Sequence, residues 1–430
     1  MLNNLFVWTL ALTISIEIFG QTKSFKDSAA VYFNEIKTAT KQSKNLWNYD
    51  LYGPILFVQS DTRQLYANYP DSAGLLKKEG SIYTGILPQE VNIANTSLHW
   101  NGKDWAMVML PLPDNKSDRL NLLAHELFHR AQPALGFKLH NTENNHLDQK
   151  DGRIYLRLEL EALKSAVLAS SPKKIKTHLT NAFIFRGYRY TLYPGADTME
   201  NLLELNEGIA EYTGITMSGR IIPEMQNHFV KSIREFLNNP TFVRSFAYQT
   251  TPIYGYLLRN TKKDWNKSIT AQTNLTDYFL SVFNIQLPDD FKSAITSIAD
   301  QYDKQTIIAE ETAREEKIKK LITEYKNKFI EQPHLDIRFE NMNISFDPRN
   351  IMPIEDKGTV YPNIRVVDNW GILTVGNGAL LSPNWNKITV STPTQIDDKK
   401  ISGDGWTLEL KNGYTVQKDS ASNNYFLRKK

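Results

Sequence analysis

Residues 122–130 read LLAHELFHR, which contains the pattern H-E-x-x-H at His125, Glu126 and His129. Histidines four apart share one face of a helix. Two imidazoles one turn apart can bind a single Zn²⁺ through nitrogen at ~2.0–2.1 Å. Glu126 falls about 100° round such a helix, beside the ion and not on it. That placement suits a base acting on a metal-polarised water. Leu120, Leu123, Ala124, Leu127 and Ala131 form an apolar stripe on the other side. The histidines are therefore expected off the hydrophobic face, where they are free to line a cleft. The plainer alternative is a pair of surface histidines on an amphipathic helix.

A zinc hydrolase needs a third protein ligand and an open fourth position. A histidine six residues after His129 would supply it in one longer motif, with a glycine at position 132. Those positions hold Leu135 and Gln132, so that pattern is absent. Residues 203–214, LELNEGIAEYTG, offer carboxylates instead. On a regular helix Glu200, Glu204, Glu207 and Glu211 fall within about 60° of one another. Like charges so placed repel by a few tenths of a kcal/mol per pair, which a dication or arginines would relieve. Glu204, Glu207 and Glu211 are candidate ligands, with Glu159 or Glu161 behind them. A solvated acidic face is the bland reading.

Taken together, His125-Glu126-x-x-His129 and the downstream Asn206-Glu207 resemble the gluzincin clan of zinc metallopeptidases, which includes thermolysin. The resemblance covers roughly residues 105–215. It implies one Zn²⁺ per chain held by His125, His129 and Glu207, with Glu126 as general base. It implies that Glu211 bonds the free ring nitrogen of a ligand histidine and sets its tautomer. It also implies an oxyanion donor beyond the third ligand. The run FAYQTTPIYGYLL, residues 246–258, offers Tyr248, Tyr254 and Tyr256, of which Tyr254, between Pro252 and Gly255, is the favoured one at an exposed turn or helix start. In this arrangement the strand at 105–110 is an edge that pairs with an extended peptide. The sequence departs from the clan in spacing, because 77 residues separate His129 from Glu207. A helix at 152–168 and the segment 186–194 would fill that gap.

The elements that must position these residues read as α+β: a zincin-like domain followed by an all-β sandwich or small barrel. A helix is expected at 22–46, with short strands at 55–58 and 64–68. Residues 91–100 and 105–110 flank Asn101-Gly102, a strong hairpin signal, so the first hundred residues predict a small antiparallel sheet. Helices then dominate from about 114 to 331. Ser117 can cap the histidine helix, and Asp197 with Glu200 resembles a capping box opening a helix that ends at Gly214. Residues 298–330 predict a long charged helix packed on the same body. From about 333 the apolar period is two, with strands at 360–367, 371–375, 387–391, 406–410 and 414–417. The expected units are 1–20, 21–332 and 333–430. Trp370, Trp385 and Trp406 in the last unit read as core, with a ligand platform as the alternative.

Composition bounds the partners. Of 430 residues, 41% are hydrophobic and 23% charged, an ordinary globular balance that argues against disorder or a membrane bundle. A net charge of +3 gives no support for nucleic-acid binding. With no cysteine, disulfides, thiolate metal sites and thiol nucleophiles are excluded. The apolar run Leu5–Ile16 is shorter than the ~20 residues of a spanning helix. With Gly20 before Gln21 it reads as a signal peptide over residues 1–20, sending the chain to the periplasm or outside the cell. No membrane span is expected in the mature chain. The leading expectation is a secreted zinc metallopeptidase acting on peptide or protein. The alternatives are a non-catalytic envelope binding or scaffold protein on the same fold, and a zinc hydrolase of a non-peptide amide or ester.

Overall fold

The computed structural model describes residues 25–137, 142, 144–259, 261–347 and 350–430. The apolar run Leu5–Ile16 and the expected cleavage point lie outside the described residues. Among the described residues no helix is long and apolar enough to cross a membrane. The chain is mixed α and β: the helix Phe25–Gln42, where one was expected at 22–46, then strands, then helices, then a strand-rich C-terminal region.

The first sheet has six strands in the order Lys77–Glu79, Ile82–Ile86, Gln64–Ala67, Ile55–Gln59, Lys103–Leu110, Thr96–Trp100. The hairpin at Asn101-Gly102 forms as expected, both residues adopting positive φ (48° and 74°). The expectation of a purely antiparallel sheet needs correction, because Ile55–Gln59 runs parallel to Lys103–Leu110. Residues 91–95 extend no strand. They form part of the long connection from Ile82–Ile86 to the hairpin, and a crossover of this kind is what parallel pairing requires. Alternation sends Ile55, Phe57, Ala106 and Val108 into the main core and Leu56, Val58, Trp105 and Met107 into a smaller one on the opposite face.

The strand Lys103–Leu110 is paired on both sides, by Ile55–Gln59 and by Thr96–Trp100, so the edge expected at 105–110 is an internal strand; it leads into the histidine helix, Lys116–Ala131. Its N-cap is Asn115, whose side chain accepts from the backbone N–H groups of Ser117 and Asp118, so the cap lies two residues before the expected Ser117. The helices Lys150–Leu168 and Pro172–Leu192 form an antiparallel pair; Ser171 caps the second, which takes in most of the 186–194 segment and ends at Leu192. The glutamate helix, 196–217, is not one α-helix. Ala196–Leu203 and Ile209–Met217 are joined by a π-helical turn, Glu204–Gly208. It starts after Gly195 in a left-handed conformation, and the Asp197–Glu200 capping box does not form, because Glu200 points inward to an arginine.

The long charged helix is shorter than expected. It runs Lys304–Lys326, after Asp303 turns left-handed (φ 57°), and ends in a π turn, Asn327–Glu331. Its first half meets the helical body, where Glu311 pairs with Arg153 and Arg157. Its end packs on the strand-rich region through Phe329 against Ile354, Val360 and Leu380. From His334 onward the chain forms a seven-stranded and a six-stranded sheet that share one apolar core. The expected strand 360–367 divides at Pro362 into Gly358–Tyr361 and Ile364–Asp368, which belong to different sheets. Trp370 and Trp406 are buried in that core, while Trp385 is half-buried.

The histidine helix and the glutamate helix cross where Gly214 faces Asn121. A Cβ on Gly214 would lie 2.5 Å from the Asn121 carbonyl oxygen, a backbone atom that cannot step aside. Overpacking of this kind costs about 1–3 kcal/mol. Gly214→Ala is expected to lower stability by that amount in urea unfolding and to push the two helices apart. Wild-type stability in the variant would show that the crossing is loose.

Candidate metal centre

His125 and His129 project from the histidine helix into a shared, largely buried space, at 4% and 8% exposure. Their Nε2 atoms are 2.9 Å apart. Glu207 Oε2 is 3.1 Å from His129 Nε2 and 3.5 Å from His125 Nε2. The three ligand atoms lie within 4.8 Å of one another, and the group could hold a metal ion.

The far side of each ring is occupied. His125 Nδ1 lies 2.9 Å from Glu211 Oε2, and Asn121 Nδ2 donates to the other oxygen of Glu211. His129 Nδ1 lies 2.7 Å from Gln132 Oε1, while Gln132 Nε2 donates to the Asn206 carbonyl. A carboxylate and an amide oxygen are acceptors, so both Nδ1 atoms carry hydrogen and both Nε2 lone pairs face inward. Two lone pairs meeting at hydrogen-bond distance require a cation or a proton between them. In the sequence, Gln132 stands out only as not being the glycine of the longer zinc motif. Its place one residue past the histidine helix, three from His129, was the available signal.

The π turn decides which glutamate reaches the site. A regular helix would hold Glu204, Glu207 and Glu211 on one face. The wider turn at Glu204–Gly208 divides them. Glu207 and Glu211 face the histidines. Glu204 turns to Arg186, which grips both its oxygens at 2.8 and 3.0 Å. Gly208 allows the turn to press against the helix Ala247–Arg259, where a Cβ would meet the Thr251 side chain at 2.2 Å. Trp47 reaches Thr213 with its indole N–H and anchors the same helix from the N-terminal side.

The charges are tightly coupled. Burial alone would lower His125, yet hydrogen bonds from its ring to the Glu207 and Glu211 carboxylates hold it well above the usual imidazole value. His129 is also raised, its burial outweighed by the Glu207 charge. Glu207 is buried too, but His129 and His125 hold its carboxyl well below the usual range. Glu126 differs. Burial pushes its carboxyl up despite the two imidazoles, and its Oε2 has no hydrogen-bond partner among the described residues. It lines the cavity beside the histidines as a proton acceptor without a structural bond on that atom.

Tyr254 does not reach this site. Pro252 lies inside the helix Ala247–Arg259 and does not open it, so Tyr254 turns into the core. There it donates to Glu159 Oε1 at 2.9 Å and stacks on Phe183 and Phe279. Tyr248, six residues earlier and about 120° round the helix, points the other way. Its hydroxyl donates to Glu207 Oε2 at 2.6 Å, and its ring stacks on His125, centroids 5.4 Å apart. Burial and the Glu207 charge hold its hydroxyl well above the usual phenol value, so it stays a donor.

The remaining candidate ligands, Glu159 and Glu161, and Glu200 from the same acidic face are paired with cations. Glu159 bridges Arg186 and Arg189, Glu200 pairs with Arg189 and His146, and Glu161 pairs with Lys164. Arg186, Arg189, Glu159, Glu200 and Glu204 are all fully buried. A set of this kind holds only while complete, because removing one partner leaves a buried charge.

The comparisons with known proteins find no match: no protein-family model, no curated protein and no solved structure is similar to the chain.

Two outcomes follow. Glu211→Gln is expected to weaken metal affinity about 10–100-fold, the usual cost of losing a partner behind a ligand histidine. Competition with a chromophoric chelator measures this, and unchanged affinity would remove Glu211 from the site. Arg189→Met should cost about 3–5 kcal/mol near neutral pH by stranding Glu200 and Glu159. The pH sign follows from Glu200, whose carboxyl lies below its ordinary 4.5. Its contribution is present above pH 4.5 and lost as pH falls through the depressed folded value. Urea unfolding should therefore show the wild type losing this contribution only at strongly acid pH. A midpoint unaffected by Arg189→Met would overturn the account.

Proposed function

We propose that the chain is a secreted zinc peptidase of the gluzincin type. One observation carries the reading: two imidazole Nε2 atoms and Glu207 Oε2 converge in the cavity lined by Glu126, whose Oε2 has no hydrogen-bond partner among the described residues. The donor set fits the metal. Two histidines and one glutamate, with no thiolate available, are the ligands of catalytic zinc sites that keep a position open. The apolar run at Leu5–Ile16 supports secretion.

His125, His129 and Glu207 would hold the zinc, which would supply Lewis-acid polarisation of a water and of the scissile carbonyl. Glu126 takes a proton from that water as its oxygen bonds to the carbonyl carbon. The raised carboxyl of Glu126 brings it closer to the working range of a general base. Glu126 then delivers the proton to the amide nitrogen as the C–N bond breaks, and an amine leaves. Tyr248, held protonated, would turn its single O–H from Glu207 Oε2 to the oxygen on which charge develops. Glu211 and Gln132 hold the two imidazoles in the tautomer that presents Nε2.

Digestion of a mixed peptide library by residues 21–430, read by mass spectrometry, tests the reading. Glu126→Gln and a chelated sample serve as controls. Cleavage abolished by both supports a zinc peptidase, whereas no cleavage by protein carrying one zinc counts against it. Glu126→Gln should lower kcat by 10³-fold or more with zinc retained. Tyr248→Phe should lower kcat about 10²–10³-fold, the usual loss for one oxyanion donor. A Tyr248→Phe enzyme of normal kcat would exclude that donor.

A further inference from the structure

Two cavities meet at His125 and Glu126. One, of about 500 Å³, extends past His129, Asn206 and Arg244 to Asn343 and Trp385. The other, of about 690 Å³, extends past Asn121 and Glu211 to Asn363, Arg365 and Thr374. Both share the floor formed by His125, Glu126 and Tyr248. Both also share two lips, Ala94-Asn95 from the first sheet's side and Ser345-Phe346 from the C-terminal sheets. The cavities therefore flank the metal-ligand cluster on either side and form two halves of one groove.

The lips belong to two sheet edges. Thr96–Trp100 is the last strand of the first sheet, and Asn343–Phe346 is the last strand of the six-stranded C-terminal sheet. They are fastened to each other. Ser345 Oγ donates to the Ile93 carbonyl at 3.1 Å, Asn92 Nδ2 donates to Asn343 Oδ1 at 3.0 Å, and Arg365 donates to the Gln89 carbonyl at 2.8 Å. In the first half of the groove, Asn206 Oδ1 is buried with no hydrogen-bond partner among the described residues. A main-chain N–H of a bound ligand would satisfy it. Beside it, Arg244 lies against the rings of Phe346 and Trp385, at 5.8 and 5.9 Å from their centroids, so C-terminal aromatics brace a cation in the groove wall.

We propose that the C-terminal sheets form the second wall of a substrate groove, and that the groove takes an extended internal segment of a flexible polypeptide. This rests on the peptidase reading. An extended chain carries a row of main-chain donors and acceptors on each side, which two opposed strand edges can pair. The groove continues on both sides of His125 and Glu126, so the chain runs on past the scissile bond in both directions and needs no free terminus. The hydrogen bonds between the lips narrow the groove, which favours an extended strand over a folded domain.

The test uses a fluorescein-labelled twelve-residue peptide, acetylated and amidated, taken from those cleaved in the library. Its binding to zinc-loaded Glu126→Gln protein is read by anisotropy, and its cleavage by wild type is read by mass spectrometry. Thr374→Trp, at an exposed strand position lining one half, and Trp385→Ala, in the other half, perturb the C-terminal wall without touching the metal-ligand cluster. The expected result is internal cleavage of the blocked peptide and at least tenfold weaker binding in both variants, with zinc content and melting temperature unchanged. Unchanged binding in both variants, with cleavage intact, would overturn the second wall alone. So would cleavage that needs a free terminus. Absence of any cleavage by zinc-loaded wild type would overturn the peptidase reading, and this inference with it.

Discussion

Two imidazole nitrogens held 2.9 Å apart with their lone pairs converging do not attract each other. The arrangement persists because the opposite ring nitrogens are pinned, His125 by Glu211 and His129 by Gln132. Most of the surrounding architecture serves that constraint. Asn121 holds Glu211, and the Asn206 carbonyl holds Gln132, so each histidine is fixed through a residue that the neighbouring helix in turn fixes. The close crossing at Gly214 brings the two helices near enough for all of these bonds. A cation between the nitrogens turns an unfavourable juxtaposition into a binding site, which is the physical basis of the proposed zinc chemistry.

The π turn at Glu204–Gly208 is the second decision point. It divides a row of four glutamates between two tasks. Glu207 and Glu211 go to the histidines. Glu200 and Glu204 go to Arg189 and Arg186, which arrive from the helix Pro172–Leu192. The 77-residue connection between His129 and Glu207 thus supplies the cations that occupy the glutamates turned away from the histidines. Buried ion pairs are a weak source of net stability, because desolvation offsets their attraction. Here they fix rotation: a glutamate helix turned by one residue would strand both arginines and withdraw Glu207 together.

The strand-rich C-terminal region is bound into this arrangement from two directions. The long helix Lys304–Lys326 spans from the helical body to the second core at Phe329, and the edge strand Asn343–Phe346 is bonded to residues 92 and 93. Its three tryptophans divide accordingly. Trp370 and Trp406 fill the core between the sheets, and Trp385 faces the groove. Neither simple expectation for them, all core or all platform, describes the result.

Local features were legible in the sequence because they depend on neighbours along the chain. The His125–His129 spacing, the Asn101-Gly102 hairpin and the alternation of the C-terminal strands are set by helical and strand periods, which survive in any context. The Asn206-Glu207 pair could be singled out by resemblance, and Glu207 does lie with the two histidines. Three things were decided only by tertiary structure. Whether Glu204 or Glu207 faces the histidines depends on a π turn, whose extra residue leaves no mark in composition. Which tyrosine reaches the site depends on how the helix Ala247–Arg259 is rotated, and core packing of Tyr254 against Phe183 and Phe279 sets that rotation. The parallel strand pair and the opposition of two sheet edges join residues far apart in sequence, so no local pattern records them. The residue types alone determined that a metal-binding chemistry was available. Long-range packing, through the crossing at Gly214 and the arginines behind the glutamate helix, determined which side chains come together to offer it.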